Sequence, residues 1–451
     1  MSDYPKSCVI GAGPSGITAC KALRERGLPY DCFEMSDDIG GVWYYNNPNG
    51  RSAAYRSLHI NTSKSVMAFS DYPMPEWYPN YTSHREIHDY FRGYAEHFGV
   101  RDTVTFNTAV QHCAPQEGGG WAVTLSTGET RLYDFLWVCN GHHWDPQWPD
   151  PPYPGSFDGE QMHSHDYRTP DQVAGRKVLL VGMGNSALDI AVEASYVSDE
   201  VWLSTRRGHY VLPKFLLGRP TDLWVNPHVP ASVAQRMFAF MLRLQVGKLE
   251  NYGLPRPQHR LLESHPTISG TILDRIAHGA VVPKPGIERL DVKTVHLKDG
   301  STVTPDLIIW CTGYKVSFPF FDPGFLSAPN NDLPLYHRMW KPDRLDLAFI
   351  GLFQPLGAIF PLAEIQAVVA AERLAGRVHL PSREEMEADI EAERQAMFKR
   401  YYNSPRHTMQ VDFHPFRRQL ERDLKQGRRG ASAAGHTVPV AARTPAGAPT
   451  A

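Results

Sequence analysis

Cys8-Val9-Ile10-Gly11-Ala12-Gly13-Pro14-Ser15-Gly16 and, further along, Leu180-Val181-Gly182-Met183-Gly184-Asn185-Ser186-Ala187 share one design: an apolar strand, a glycine turn and the opening of an amphipathic helix. In such a turn the first glycine permits the tight bend and the second lets backbone approach a pyrophosphate. The helix start presents N–H groups and a positive dipole end to the same anion. In the second copy Ala187 stands for the third glycine and is still small enough for close packing of helix on strand. One such turn is a weak signal. Two in one chain predict two dinucleotides, and the usual reason to bind two is to pass electrons from one to the other.

Working outward from the first turn, Ser7 to Ile10 read as a strand, Ser15 to Arg26 as a helix stopped by Gly27, and Tyr30 to Phe33 as a second strand ending at Glu34. An acid at that point can bond the adenosine ribose hydroxyls. Around the second turn, strand Lys177 to Val181, helix Ser186 to Tyr196 and strand Val201 to Ser204 repeat the plan, but Thr205 takes the place of the acid and Arg206 and Arg207 follow. A carboxylate repels a 2′-phosphate and a guanidinium bonds it bidentately, so this exchange favours NADP(H). The other reading of the arginine pair is a solvated surface patch.

The duplication extends past the turns. An alternating stretch with Trp121, Val123 and Leu125, a turn at Thr127-Gly128 and an apolar run Phe135 to Val138 follow the first unit. Val295, Leu297, a turn at Asp299-Gly300 and the run Leu307 to Trp310 follow the second. The fold class is therefore α/β, with two Rossmann-like dinucleotide-binding domains, each a parallel sheet with a three-stranded β flap. Leu347 to Gly351 is expected to return to the first sheet, which makes that domain discontinuous: 1–155 and 311–426 for the first dinucleotide, 156–310 for the second. Residues 208–280, rich in Pro, Leu and Phe, exceed the minimal plan and read as an insertion shaping the active-site entrance. The Ala-, Thr-, Pro- and Gly-rich stretch 427–451 is expected to be a disordered tail.

With 451 residues, 42% of them hydrophobic and 21% charged, the chain is ordinary globular material for two or three domains. Its net charge of −2 offers no surplus to neutralise phosphate backbones or anionic lipid, so no nucleic-acid partner is expected. The 6 cysteines form no C-x-x-C pair and no zinc spacing, which points to a reducing compartment and to no metal. No basic and apolar leader precedes the first strand, and the apolar run Met237 to Leu242 falls far short of the roughly 20 residues of a membrane span. The expectation is a cytoplasmic protein without an integral membrane anchor, in which that run forms a buried helix or a cavity wall. Whether it is a homo-oligomer stays open.

Two further segments are ambiguous alone. Gly40-Gly41-Val42-Trp43 is either a turn with a packing Trp or a flavin contact, and Phe157-x-Gly159-x-x-x-His163-x-x-x-Tyr167 is by itself more often core than chemistry. Placed just before the second glycine turn, however, the latter resembles the fingerprint of the flavin-containing monooxygenases. The resemblance runs from about Lys6 to Ala371. It is carried by Glu34 to Trp43, Asn61-Thr62-Ser63-Lys64, Ser70-Asp71-Tyr72-Pro73, Asn140-Gly141-His142-His143, the second turn, Ser204-Thr205-Arg206, Asn251-Tyr252-Gly253-Leu254, Thr312-Gly313-Tyr314 and Gln354-Pro355-Leu356-Gly357, in family order.

The resemblance implies that NADPH reduces FAD, that O2 adds at flavin C4a, and that the hydroperoxide oxygenates a soft nucleophile. Amine nitrogen or thioether sulfur becomes an N-oxide or sulfoxide, as in N,N-dialkylaniline-type monooxygenases. The cofactor carries this chemistry and the protein supplies a dry, preorganised pocket. By resemblance Gly11, Ala12, Gly13, Pro14, Ser15 and Gly16 bind the FAD pyrophosphate, Glu34 its ribose, and Gly41, Val42 and Trp43 lie near the flavin. Gly182, Gly184, Asn185, Ser186, Ala187, Ser204, Thr205 and Arg206 bind NADP. Thr62, Val110, Thr312, Gly313 and Gln354 complete the cofactor-binding set, with Gln354 also on the substrate path. Asn61 matches the family's active-site amide; read from the sequence alone it is a turn or cap residue. Related Baeyer–Villiger enzymes place Trp where this chain has Tyr167, which argues against ketone insertion. A Baeyer–Villiger enzyme, an NADPH oxidase-type flavin reductase and a non-catalytic nucleotide-binding module are the alternatives.

Overall fold

The computed structural model describes residues 4–224, 231–400 and 408–433. Two parallel sheets organise it, each nucleated by one of the glycine-turn strands. In the first, Ser7–Ile10 lies between Tyr30–Phe33 and Phe135–Val138; Ser7–Ile10 and Phe135–Val138 are buried throughout, and Tyr30–Phe33 at Cys32 and Phe33. Val104–Thr105 extends one side. On the other, Arg344–Phe349 pairs with Phe135–Val138, Leu347 beside Leu136 and Phe349 beside Val138, and Trp340–Lys341 closes the edge antiparallel. The second sheet runs Val282–Lys284, Glu200–Ser204, Lys177–Val181, Leu307–Trp310, Glu160–His163, parallel throughout.

In both sheets the chain leaves the central strand, pairs on one side and then returns on the other. That reversal opens a crevice at the carboxyl end of the central strand, where open α/β sheets bind ligands. Each half carries its three-stranded antiparallel flap, Val110–Pro115, Trp121–Leu125 and Thr130–Tyr133 in the first, Ile287–Asp291, Thr294–Leu297 and Thr302–Val303 in the second. Helix Pro14–Arg24 buries Ile17, Ala19 and Ala22 against Ala363, Ala367 and Ala370 of helix Phe360–Leu374. Small residues on both surfaces let the two helices approach closely.

Residues 208–280 are not all insertion. Helix Ile272–Ala277 buries Ile272 and Ile276 in the second core beside Leu188 and Ala191, and leads into strand Val282–Lys284, so it is the crossover that this sheet requires. Ahead of it lie a hairpin, Phe215–Leu216 with Arg219–Pro220, and helix Ala231–Val246. On that helix Phe238 and Leu242 are buried whereas Met237 and Phe240 are 53% and 64% exposed, so the apolar run is only half buried. Helix Phe413–Ala433 carries the chain as helix through 427–433, where a tail was expected; the Leu420 side of its amphipathic pattern buries against the first core. The remainder of that expectation, 434–451, lies outside the described residues. Strand Gln410–Asp412 pairs in parallel with Gln354–Leu356 and brings the C-terminal segment to the cavity.

Candidate active site

A cavity of about 2800 Å³ runs between the two sheets, several times the roughly 300–1,000 Å³ of an ordinary single-ligand pocket. Both glycine turns open into it. Of the residues singled out from the sequence, Gly11, Gly13, Pro14, Ser15, Glu34, Gly41, Val42, Trp43, Asn61, Thr62, Val110, Gly182, Gly184, Asn185, Ser186, Ala187, Ser204, Thr205, Arg206, Thr312, Gly313 and Gln354 line its wall.

Ala12 and Gly16 do not. Ala12 is fully buried and its N–H donates to Glu34 Oε2 at 2.7 Å. A Cβ on Gly16 would lie 1.8 Å from the Gly11 carbonyl oxygen, so that glycine is required by the turn itself. Gly13 differs: a Cβ there would meet protein only at Gly41, at an ordinary 3.6 Å, and otherwise faces the cavity. With Gly11 at φ +97° and Gly41 at φ +56°, bare backbone from two segments frames one concavity, the kind of surface that can take an anion such as a pyrophosphate.

Glu34 holds that frame together as well as facing the cavity. Its second oxygen accepts the Ser36 N–H at 2.9 Å, and burial pushes its carboxyl above the usual range. The indole of Trp43 meets Phe360 edge to face, 6.0 Å between centroids. Gln354 Nε2 stands 3.2 Å from His143 Nε2.

The second turn is tied to residues that follow it by many positions. Asn185 Oδ1 accepts the Ile268 N–H at 2.9 Å, Thr267 Oγ1 donates to the Met183 carbonyl at 2.6 Å, and Ser204 Oγ donates to the Pro285 carbonyl at 2.8 Å. Thr205 Oγ1 donates to the Arg207 carbonyl at 2.8 Å and so bends the chain after the strand. Arg206 is exposed, with no hydrogen bond or ion pair among the described residues. An anion at this corner meets an uncommitted guanidinium.

Asn61 and Thr62 line the same cavity as the two glycine turns. No group among the described residues bonds the Asn61 amide, so it points its donors and acceptor at the cavity alone. On one side of it the Ile60 N–H donates to the Thr82 carbonyl at 3.0 Å; on the other the Lys64 N–H donates to Asn80 at 2.8 Å. Nearby, Tyr55 O–H donates to Asp189 Oδ2 at 2.5 Å, and burial pushes the Asp189 carboxyl up to about 6.

The fingerprint segment lies in the core, its ordinary reading from the sequence alone. Phe157, Gly159, His163 and Tyr167 do not line the cavity; Tyr167 is fully buried and donates to Glu193 Oε2 at 2.7 Å. Its ring meets that of Tyr55, which lines the cavity, edge to face at 6.1 Å. Conversely, Arg51, stacked 3.8 Å from the Trp144 ring, and His414 and Arg418 of the C-terminal helix reach the cavity unannounced. Only the pairing of strand Gln410–Asp412 with the Gln354 strand places the last two there.

Two glycine turns of dinucleotide-binding design thus open into one cavity whose wall also carries an unbonded amide, and no group of three or more His, Cys, Asp or Glu is placed for a metal among the described residues. The model of the flavin-binding monooxygenase-like family matches residues 5–424, and the chain belongs to that family. It is a flavin monooxygenase, with FAD and NADP(H) as its cofactors. The chain is 38% identical over 427 residues to flavin-containing monooxygenase 5 of Rattus norvegicus, covering 90% of this chain and 80% of the relative. N-oxide-forming dimethylaniline monooxygenase 2 of Macaca mulatta is 34% identical over 430 residues, with the same coverage. Among solved structures the fold is shared with the S-allyl-L-cysteine S-oxygenase of Allium sativum, TM-score 0.71 at 24% identity over 96% of this chain and 94% of that one. It is shared too with the NADP+-bound cyclohexanone monooxygenase of Rhodococcus sp. Phi1, TM-score 0.72 at 18% identity over 94% and 98%.

Proposed function

We propose that this chain uses NADPH and O2 to oxygenate soft nucleophiles, turning amine nitrogen into N-oxide and thioether sulfur into sulfoxide. The observation that carries the reading is the pair of glycine turns on one cavity whose wall also carries the partnerless Asn61 amide. The dimethylaniline and S-oxygenase activities named for the relatives accord with it. Bound flavin, reduced by NADPH, supplies the oxygen activation; the chain's residues bind, orient and exclude water.

In this reading Gly11, Gly13 and Gly41 seat the FAD pyrophosphate and Glu34 accepts from the ribose hydroxyls with the lone pairs that Ala12 and Ser36 leave open. Val42, Trp43, Thr62 and Val110 wall the flavin. Gly182, Gly184 and Ser186 seat the NADP pyrophosphate, Arg206 its 2′-phosphate, and Thr312, Gly313 and Gln354 the far side. Asn61 donates to the oxygen that activation places in the cavity and orients the nicotinamide amide. Residues 1–155 with 311–426 form the FAD domain and 156–310 the NADP domain. No helix among the described residues is long and apolar enough to cross a membrane.

The test is a screen of tertiary amines, thioethers and cyclic ketones, scored by oxygenated product and by peroxide released per NADPH oxidised. N-oxides or sulfoxides at high coupling support the reading. Lactones from ketones as the main product overturn it in favour of Baeyer–Villiger chemistry, and peroxide matching NADPH with every compound overturns it in favour of an oxidase.

A further inference from the structure

Asn61 has no hydrogen bond of its own, so its direction is set by the backbone on either side. The anchor before it, Ile60 to Thr82, belongs to the same loop. After it the loop supplies the Lys64 N–H bond to the Asn80 carbonyl, and a second anchor, one residue nearer Asn61, comes from elsewhere. Ser63 gives both its N–H, at 3.1 Å, and its Oγ–H, at 2.5 Å, to Asp222 Oδ2, and Asp222 stands in the segment inserted ahead of the crossover helix of the second sheet.

That carboxylate is itself well fixed. The turn Thr221–Trp224 follows the hairpin Phe215–Leu216 with Arg219–Pro220, the Thr221 N–H donates to the Lys214 carbonyl at 3.0 Å, Thr221 Oγ1 donates to Pro213 at 2.5 Å, and Trp224 Nε1 donates to Leu216 at 3.0 Å. A second contact crosses the same seam: Tyr81 O–H donates to the Lys214 carbonyl, its ring meets Phe215 edge to face at 5.6 Å, and the Lys214 ammonium lies 5.0 Å over it. Asp222 and Trp224 also line the cavity, together with Phe238 of the helix that follows.

We infer that Asp222 is a positioning residue for Asn61, through which the inserted segment that walls the cavity sets the direction of the active-site amide. A doubly donated carboxylate bond is among the stronger contacts a loop can have, and it holds the Thr62–Ser63 peptide, the second after Asn61, from outside the loop, beside the loop's own Lys64 bond to Asn80. The inference rests on the role proposed above for Asn61.

The experiment compares Asp222→Ala, Asp222→Asn and Asn61→Ala in the FAD-loaded protein by two readouts: amide hydrogen exchange at Ser63 and peroxide released per NADPH. Asp222→Ala is expected to speed exchange at Ser63 by about tenfold or more, the factor to which about 1.4 kcal/mol converts, and to raise the peroxide share toward that of Asn61→Ala. Asp222→Asn, whose amide oxygen still accepts from Ser63, restores both. Unchanged exchange in Asp222→Ala, or Asp222→Asn as loose as Asp222→Ala, overturns the clamp. A coupled Asp222→Ala beside an uncoupled Asn61→Ala also defeats this inference alone, whereas a coupled Asn61→Ala defeats the reading beneath it. Where Asp222→Ala fails to fold, Ser63→Ala removes the 2.5 Å bond and carries the same test with a smaller effect.

Discussion

Replacing Arg206 by alanine tests the coenzyme assignment at one atom group. The side-chain stem of Arg206 rests on the backbone of Gly286, so closely that a Cβ there would stand 3.0 Å from Arg206 Cγ. The stem is thus held while the head remains uncommitted. A charge-assisted bond is worth about 1.5–3 kcal/mol, and because Arg206 is exposed, solvent screening places the 2′-phosphate contact at the lower end. About 1.5 kcal/mol is roughly tenfold in affinity. NADH has no phosphate to lose, so the variant should weaken NADPH about tenfold and leave NADH alone. The assay is the ratio of kcat/KM values for the two coenzymes at low and high salt, since the wild-type preference should itself shrink as ions screen the pair. A ratio identical in wild type and Arg206→Ala refutes the argument and moves the phosphate to Arg207, which also lines the cavity.

The two glycines of the first turn should fail differently: Gly13→Val folds and is isolated with little or no flavin because its new side chain meets cofactor and not protein, whereas Gly16→Ala, 1.8 Å from the Gly11 oxygen, loses thermal stability outright. A yellow, active Gly13→Val, or a Gly16→Ala with the wild-type Tm, contradicts the geometry. Asn61→Ala should bind FAD and accept hydride from NADPH at the wild-type rate yet release peroxide in place of N-oxide or sulfoxide; rapid mixing and product counts decide it, and full coupling returns Asn61 to a turn residue. Asp189 has its folded pKa raised by burial from 3.8 to about 6, so the stability it contributes is complete below 3.8 and lost as pH climbs through about 6. Asp189→Asn, which can still accept from Tyr55, should therefore gain on wild type above that pH by at most about 3 kcal/mol, read as urea midpoints near pH 5 and pH 8; parallel pH profiles count against the assignment.

What could be read in the sequence is what local physics encodes. The strands Ser7–Ile10, Tyr30–Phe33, Phe135–Val138, Lys177–Val181 and Leu307–Trp310 fall where their apolar runs and flanking glycines place them, because a buried parallel strand needs only a short uninterrupted apolar stretch. The return of Leu347–Phe349 to the first sheet was legible by elimination, there being no third glycine turn to start another unit. What was not legible depends on contacts between distant positions. No local pattern tells that Ile272–Ala277 is a crossover helix while the residues before it are not, that Asp222 meets Ser63, or that Gln410–Asp412 pairs beside Gln354. Nor does any local pattern tell that the Glu34 carboxylate, brought alongside by the second strand, takes the Ala12 N–H and keeps Ala12 off the cavity wall.

The strand Arg344–Phe349 has a consequence for the order in which the protein comes into being. The second sheet is complete once Trp310 has been made, but Phe135–Val138 stays an unpaired edge until residues near 349 emerge. During synthesis the coenzyme-binding half can therefore close while the flavin-binding half, begun first, still waits with an apolar edge exposed, the situation in which nascent chains mispair. Truncations between residues 311 and 343 should accordingly leave a soluble, protease-resistant second half attached to an aggregation-prone first one, a hierarchy of assembly that runs opposite to the order of the sequence.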